Sequence, residues 1–316
     1  MFIQKNIKIF KIGVAFLFSV MYYYIRDKES TYKTEAIKMT KKLIALLLIA
    51  IMAMGLFTGC GSDEPADDQQ GGEEMTTLVF GTSADYAPFE FMYPDENGNM
   101  VYGGIDVYIA EYMAEYMGVE LQIENMAFNN LLTALNKGDF DIVMADIEAT
   151  PPRKEAADFT IPYLISDATP RFLVKKENAD QYKTYADFNG KTIGAQTGTT
   201  KLEIIQEIPD VNAVALINVL DLIKEVNYDK VDAILVDGAV ALQYEETNDD
   251  LVALSFPELG EPAEICCAVA KGDPKGLLPV LNEAIAKMIE EGKVEEFKEK
   301  AASYADVWQE VSMPEE

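Results

Sequence analysis

The chain has 316 residues, 49% of them apolar and 25% charged, so it is long enough to bury a sizeable core and disorder is excluded for most of it. Its formal net charge of −28 understates the acidity of the body, because residues 1–59 hold 9 Lys and Arg against 3 Asp and Glu and leave 17 basic and 51 acidic residues beyond them. Such a body is repelled by phosphate backbones, which excludes nucleic acid as a partner; the absence of His removes His-dependent triads, His-ligated zinc and imidazole acid–base chemistry.

Residues 1–38 carry an apolar run, Ile12 to Ile25, and then a charged stretch before Met39. A signal peptide starts near its N-terminus, so 1–38 is read as an upstream extension of the reading frame, with an extra membrane segment as the alternative. Residues 39–59 have the parts of a secretory signal: Lys41 and Lys42, an uncharged run of 15 residues from Leu43 to Phe57, and small residues before Cys60. The run is short for a spanning helix. Residues 60–76 contain the acidic, Gly-rich stretch Gly61 to Glu74, which cannot bury a core and reads as a flexible tether.

From Thr77 onward, short apolar runs alternate with amphipathic stretches. Strands are predicted at 77–82, 119–125 and 140–145. Helices are predicted at 106–117, closed by Gly118, and from an Asn129 cap to Gly138. Val107, Ala110, Ala114 and Met117 share one helical face, as packing on a sheet requires. The pattern then restarts, with strands at 191–195, 211–216 and 231–236 and helices at 199–207, 219–226 and 239–246. This alternation predicts parallel sheets with helices on both faces. An extended piece, 265–270, precedes a helix from Pro274 to Glu291. The stripe Leu278, Leu281, Ile285 and Met288 on that helix must pack on one of the two units.

Seven segments in order, GTSADYAPFEF (81–91), GGIDVYIAEYMAEYMG (103–118), LLTALNKGDFDIVMA (131–145), TPPRKEAADFTIPY (150–163), FNGKTIGAQTGTT (188–200), VDAILVD (231–237) and AVAKGDP (268–274), resemble the family 3 extracytoplasmic solute-binding proteins. The resemblance implies an α/β fold of the type II periplasmic-binding-protein kind, with two doubly wound lobes joined by two hinge strands. Lobe 1 would be 77–168 plus 265–316, and lobe 2 would be 172–260. It implies capture of an amino acid in the cleft by hinge closure and delivery to the permease and ATPase subunits of an ABC transporter. The protein would then not be an enzyme and would need no cofactor or metal. Leu56-Phe57-Thr58-Gly59-Cys60 likewise resembles a bacterial lipobox, although Phe57 stands where Leu is usual. Cys60 would then be lipidated and would hold the protein on the extracytoplasmic face of the membrane.

Ligands of doubly wound sheets sit outside the carboxyl ends of the strands, where the candidate residues lie. Tyr86 and Phe128 are similar to the family's aromatics that sandwich the ligand side chain, a slot suited to apolar or cationic groups. Arg153 matches the arginine that grips the α-carboxylate, and Asp237 the acid that takes the α-ammonium. Thr199 and Thr200 start a helix where an anion is favoured. The departures are Ser83, where basic-amino-acid binders often have Asp, with Asp85 two residues on, and Asp146 and Glu148, at positions that are usually small or hydroxylated. Glu148 would repel a carboxylate unless it turns away to solvent or Arg153, is protonated, or meets a cation on the ligand, and Lys201 is placed to pair with either Glu148 or Asp146. The surplus of pocket acids predicts a ligand with a cationic or donor-rich side chain before an acidic one. Cys266 and Cys267 are adjacent in a strand, so a mutual disulfide would be strained and both are expected as buried thiols.

Two rival readings use the same fold. Some relatives are dehydratases of prephenate-like acids, for which Asp146 or Glu148 would be a general acid. A ligand-sensing module is the other. The lipobox and tether favour capture and delivery.

Overall fold

Thr77–Thr82 forms β1, with Leu78 and Phe80 fully buried, and a loop with a cis Ala87–Pro88 peptide leads into a hairpin of β2 (Phe91–Pro94) and β3 (Met100–Gly103). The computed structural model describes residues 75–305 except Asp167, together with Val307; residues 1–38, the expected signal segment, Cys60 and most of the expected tether lie outside the described residues. Helix α1 (Ile105–Met117) buries Val107, Ala110 and Ala114 and ends at Gly118, whose φ of 72° lets its amide reach the carbonyls of Ala114 and Glu115. β4 (Glu120–Asn125), α2 (Leu131–Lys137) and β5 (Ile142–Val143) follow, and β4 and β5 flank β1 in parallel. α3 (Pro151–Ala156), capped by Thr150, β6 (Ala157–Phe159) and β7 (Leu164–Ile165) complete the first passage.

The second unit runs β8 (Arg171–Lys175), β9 (Thr192–Gln196), α4 (Thr200–Gln206), β10 (Asn212–Leu216), α5 (Val219–Asn227), β11 (Ala233–Val236), α6 (Gly238–Thr247) and β12 (Leu251–Leu254). The chain returns through β13 (Glu264–Ile265) and β14 (Ala268–Ala270), then ends its described part with α7 (Leu278–Glu290) and α8 (Lys293–Ala302). Both α7 and α8 pack on α1. Leu281, Ile285 and Met288 of the predicted stripe are fully buried and Leu278 is half-buried, so the final helices belong to the first unit. Among the described residues no helix is long and apolar enough to cross a membrane.

The two sheets have the orders β4-β1-β5-β14-β6 and β10-β9-β11-β8-β12. Neither is purely parallel, contrary to the sequence expectation. In each, one strand runs antiparallel to both neighbours: β14 between β5 and β6, and β8 between β11 and β12. The physical reason is the crossing. β7 pairs antiparallel with β13, Leu164 opposite Ile265 and Ile165 opposite Glu264, and these two strands carry the chain out and back between the sheets. β8 follows the outward crossing and β14 the return. Each enters its sheet from the side where the parallel strands end, and must run against them.

Other boundaries differ for local reasons. The predicted strand 140–145 is confined to two residues. The helix predicted from an Asn129 cap starts at Leu131 after a 3-10 turn, Phe128–Asn130, with no side-chain cap. The helix expected from Pro274 starts at Leu278, because the Asp273 carboxylate accepts the amides of Leu277 at 2.8 Å and Leu278 at 3.0 Å and holds the preceding residues in a turn. Cys266 and Cys267 are both buried free thiols, as expected, and burial pushes the Cys266 thiol up to about 11.

Candidate ligand-binding cleft

The loops that leave the carboxyl ends of β1, β4, β5, β9 and β11 meet between the two sheets. They bring Tyr86, Phe128, Asp146, Glu148, Arg153, Thr199, Thr200, Lys201 and Asp237 around one tightly closed cavity of about 10 Å³, together with Glu90, Ala145 and Gln196. Tyr86, Glu148 and Arg153 come from the first unit; Thr200, Lys201 and Asp237 come from the second. Their approach depends on Gly198: its φ of 84° suits glycine, and a Cβ there would lie 3.0 Å from Asn129 Cβ on the opposite wall.

Polar contacts knit the two walls. The Tyr86 hydroxyl donates to Asp237 Oδ2 at 2.7 Å and accepts from the Asp237 amide at 3.0 Å. Lys201 Nζ lies 2.5 Å from Asp237 Oδ1 and 2.9 Å from Glu148 Oε1, and Lys201 is only 3% exposed. Arg153 donates from Nη1 to the Glu148 carbonyl at 3.1 Å and from Nη2 to the Gly198 carbonyl at 3.2 Å, and Nη1 is 3.7 Å from Glu148 Oε2. Its guanidinium stands 5.2 Å from the centre of the Phe128 ring. The Thr200 hydroxyl donates to Glu148 Oε1 at 3.3 Å. The Thr199 hydroxyl donates to the Gln196 carbonyl at 2.7 Å and accepts the Leu202 amide at 3.3 Å, so it serves as the cap of α4.

Glu148 therefore meets Lys201, one of the two pairings open to that lysine, and also reaches Arg153. Burial opposes its charge, but Lys201, with help from Arg153, holds its carboxyl below the usual range. Burial likewise opposes the Lys201 charge, and Asp237 and Glu148 outweigh it and keep the ammonium above its ordinary value. Burial lowers Arg153 somewhat, against Glu148, which supports its charge.

Ser83 and Asp85 stand outside the cavity lining. The Ser83 hydroxyl donates to Asp85 Oδ1 at 3.0 Å, while Asp85 Oδ2 accepts the Val219 amide at 2.8 Å, at the start of α5 in the other unit. Burial pushes the Asp85 carboxyl up to about 6.

A second group of acids joins Glu90 and Asp146 of the lining to Asp106, which lies outside it. Asp146, held at a φ of 45°, donates its amide to Asp106 Oδ2 at 2.8 Å, and the Tyr163 hydroxyl donates to Asp106 Oδ1 at 2.7 Å. Both carboxylate oxygens of Asp146 and Oε2 of Glu90 are buried without a hydrogen-bond partner. Burial, with Asp237 nearby, pushes Asp146 well above the carboxylate range; burial beside Asp106 does the same to Glu90, and burial brings Asp106 up to about 6. Sequence reasoning missed Glu90 and Gln196. Glu90 had a signal: it is a lone acid in the apolar run from Ala87 to Met92, and the structure buries it together with Phe89 and Phe91.

The architecture is that of two-lobed, hinge-joined binding proteins of the type II kind. Residues 78–303 match the model of the bacterial extracellular solute-binding proteins, family 3, and the chain belongs to that family. It is 32% identical over 268 residues to the arginine-binding extracellular protein ArtP of Bacillus subtilis (strain 168), covering 82% of this chain and 97% of that one. Among solved structures, an amino acid ABC transporter substrate-binding protein from Streptococcus pneumoniae bound to L-arginine superposes with a TM-score of 0.68 at 34% identity, over 72% of this chain and 94% of that one. The ancestral amino acid-binding protein AncCDT-1, a precursor of cyclohexadienyl dehydratase, superposes with a TM-score of 0.63 at 33% identity, over 71% and 95%.

Proposed function

We propose that this protein captures an amino acid with a cationic side chain outside the cytoplasmic membrane and delivers it to the permease and ATPase subunits of an ABC transporter. The observation that carries the reading is the placement of Arg153 on one wall and Asp237 on the other. A guanidinium fork is the best partner for a carboxylate, and a carboxylate steadied by Tyr86 suits an ammonium. The two poles on opposite lobes make closure the act that completes the site. Glu90 and Asp146 in the lining, with oxygens not otherwise engaged, favour a cationic side chain over an acidic one. The arginine ligands of ArtP and of the pneumococcal protein point the same way. Lipidation at Cys60 would tether the capture domain beside its permease.

A thermal-shift screen of the purified protein against all amino acids tests this, since a ligand that binds only the folded state raises its melting point. A shift with arginine or lysine is expected; no shift with any amino acid contradicts the reading. The competing activity is dehydration of a prephenate-like acid, favoured by the raised carboxyls of Asp146 and Glu90 and by the likeness to AncCDT-1. Arg153 and Asp237 on opposite walls, a cation and an acid suited to the two α-groups, favour binding. Turnover of prephenate or arogenate by the purified protein would reverse that choice.

A further inference from the structure

We propose that the side chains of Glu148 and Lys201 form a built-in counterpart of an amino acid's head group, and that a ligand binds only by displacing this pair. The inference rests on the proposed function and adds the residues that set affinity within it.

The geometry carries it. The Glu148 carboxylate is met by the Thr200 hydroxyl at 3.3 Å and faces the Arg153 guanidinium at 3.7 Å, partners that would serve a ligand carboxylate. The Lys201 ammonium lies 2.5 Å from Asp237, whose other oxygen takes the Tyr86 hydroxyl, so it holds the acid that would serve a ligand ammonium. Carboxylate and ammonium are themselves 2.9 Å apart, and the side chains are 15% and 4% exposed. A zwitterion is thus reproduced in place by two residues of the chain, one from each lobe.

Two consequences follow. The pair draws the lobes together, because Lys201 on the second lobe engages Glu148 on the first. A ligand's α-groups gain little on entry, since they exchange one satisfied ion pair for another. Selective binding therefore draws on what the side chain gains against Glu90, Asp146 and Phe128. Apparent affinity is reduced by the fraction of molecules in which the pair stands aside.

The test is the double variant Glu148→Ser/Lys201→Gln, which removes both charges and strands neither, compared with the wild-type protein by calorimetry against arginine and glutamine. The proposal predicts affinity higher by at least about tenfold in the double variant, by the same factor for both ligands, because the head group they share is what is relieved. Unchanged or weaker binding in the double variant, with wild-type binding intact, overturns the inference and leaves the proposed function standing. Failure of both proteins to bind any amino acid overturns the proposed function and the inference with it. Should the double variant not fold, X-ray scattering of the wild-type protein decides. With arginine binding established by calorimetry, a radius of gyration that arginine leaves unchanged supports a pair that already closes the cleft, and a contraction on adding arginine overturns it.

Discussion

Tyr86 and Asp237 hold each other across the cleft by two hydrogen bonds, the phenol giving one at 2.7 Å to the carboxylate and taking one at 3.0 Å from the amide of the same residue. The hydroxyl is thus committed to positioning the acid that faces Lys201. Tyr86→Phe keeps the ring and removes both bonds, leaving a buried amide without an acceptor. It should weaken ligand binding by about 1–3 kcal/mol while the circular dichroism spectrum stays the same. Wild-type affinity in calorimetry would show that Asp237 needs no such support.

Arg153→Ala and Asp237→Ala should each weaken amino acid binding by roughly 2–5 kcal/mol, since each leaves a ligand charge buried without its partner. Wild-type affinity in both variants would sink the assignment of an α-amino acid ligand.

Acidity should stabilise this fold down to about pH 5. Asp85 and Asp106 have ordinary values of 3.8 and are pushed by burial to about 6 in the folded protein. Between those values the folded state binds more protons than the unfolded, so stability falls as pH rises through the window, by on the order of 2 kcal/mol for Asp106. Glu148 acts in the opposite sense: its carboxyl is held below 4.5, so its contribution is present above that value and lost in stronger acid. Melting curves should therefore show a higher transition at pH 5 than at pH 7.5, and a flat or rising profile over that interval would contradict the burial of these acids.

Strands such as β1 and β9 were legible as short apolar runs, and helices such as α1 and α5 because apolar residues recur in them at helical spacing. The strands β6, β8 and β12 were not, for each is short or flanked by crossings, and their direction is set by where the chain re-enters a sheet. The cleft shows the same division. That Arg153, Asp237, Tyr86 and Phe128 would lie at the cleft was legible from motif order. The role of Asp85 was not, because its hydrogen bond to the Val219 amide spans 134 positions, and no local pattern encodes a contact between lobes. Lys201 was seen as a possible partner of the extra acids; only the fold reveals that it meets Asp237 and Glu148 together.

The proposed lipid anchor at Cys60 is separable from capture. Cys60→Ser should move the protein from membrane to soluble fractions, and deleting residues 1–38 should leave both localisation and binding unchanged. Membrane attachment that survives Cys60→Ser would point to an anchoring helix, and loss of export in the truncation would contradict a start at Met39.

The central claim is capture of an amino acid whose side chain is cationic, in a cleft where Arg153 and Asp237 take the α-groups and the acids behind them face the side chain. Isothermal titration of the purified protein with arginine, lysine, glutamine and glutamate tests it most directly. Arginine or lysine should bind tightest and glutamate weakest, because a cationic side chain can displace the protons that burial holds on Glu90 and Asp146 and pair with them, whereas a second carboxylate finds no cation there. Tightest binding of glutamate, or no binding of any of the four, would contradict it.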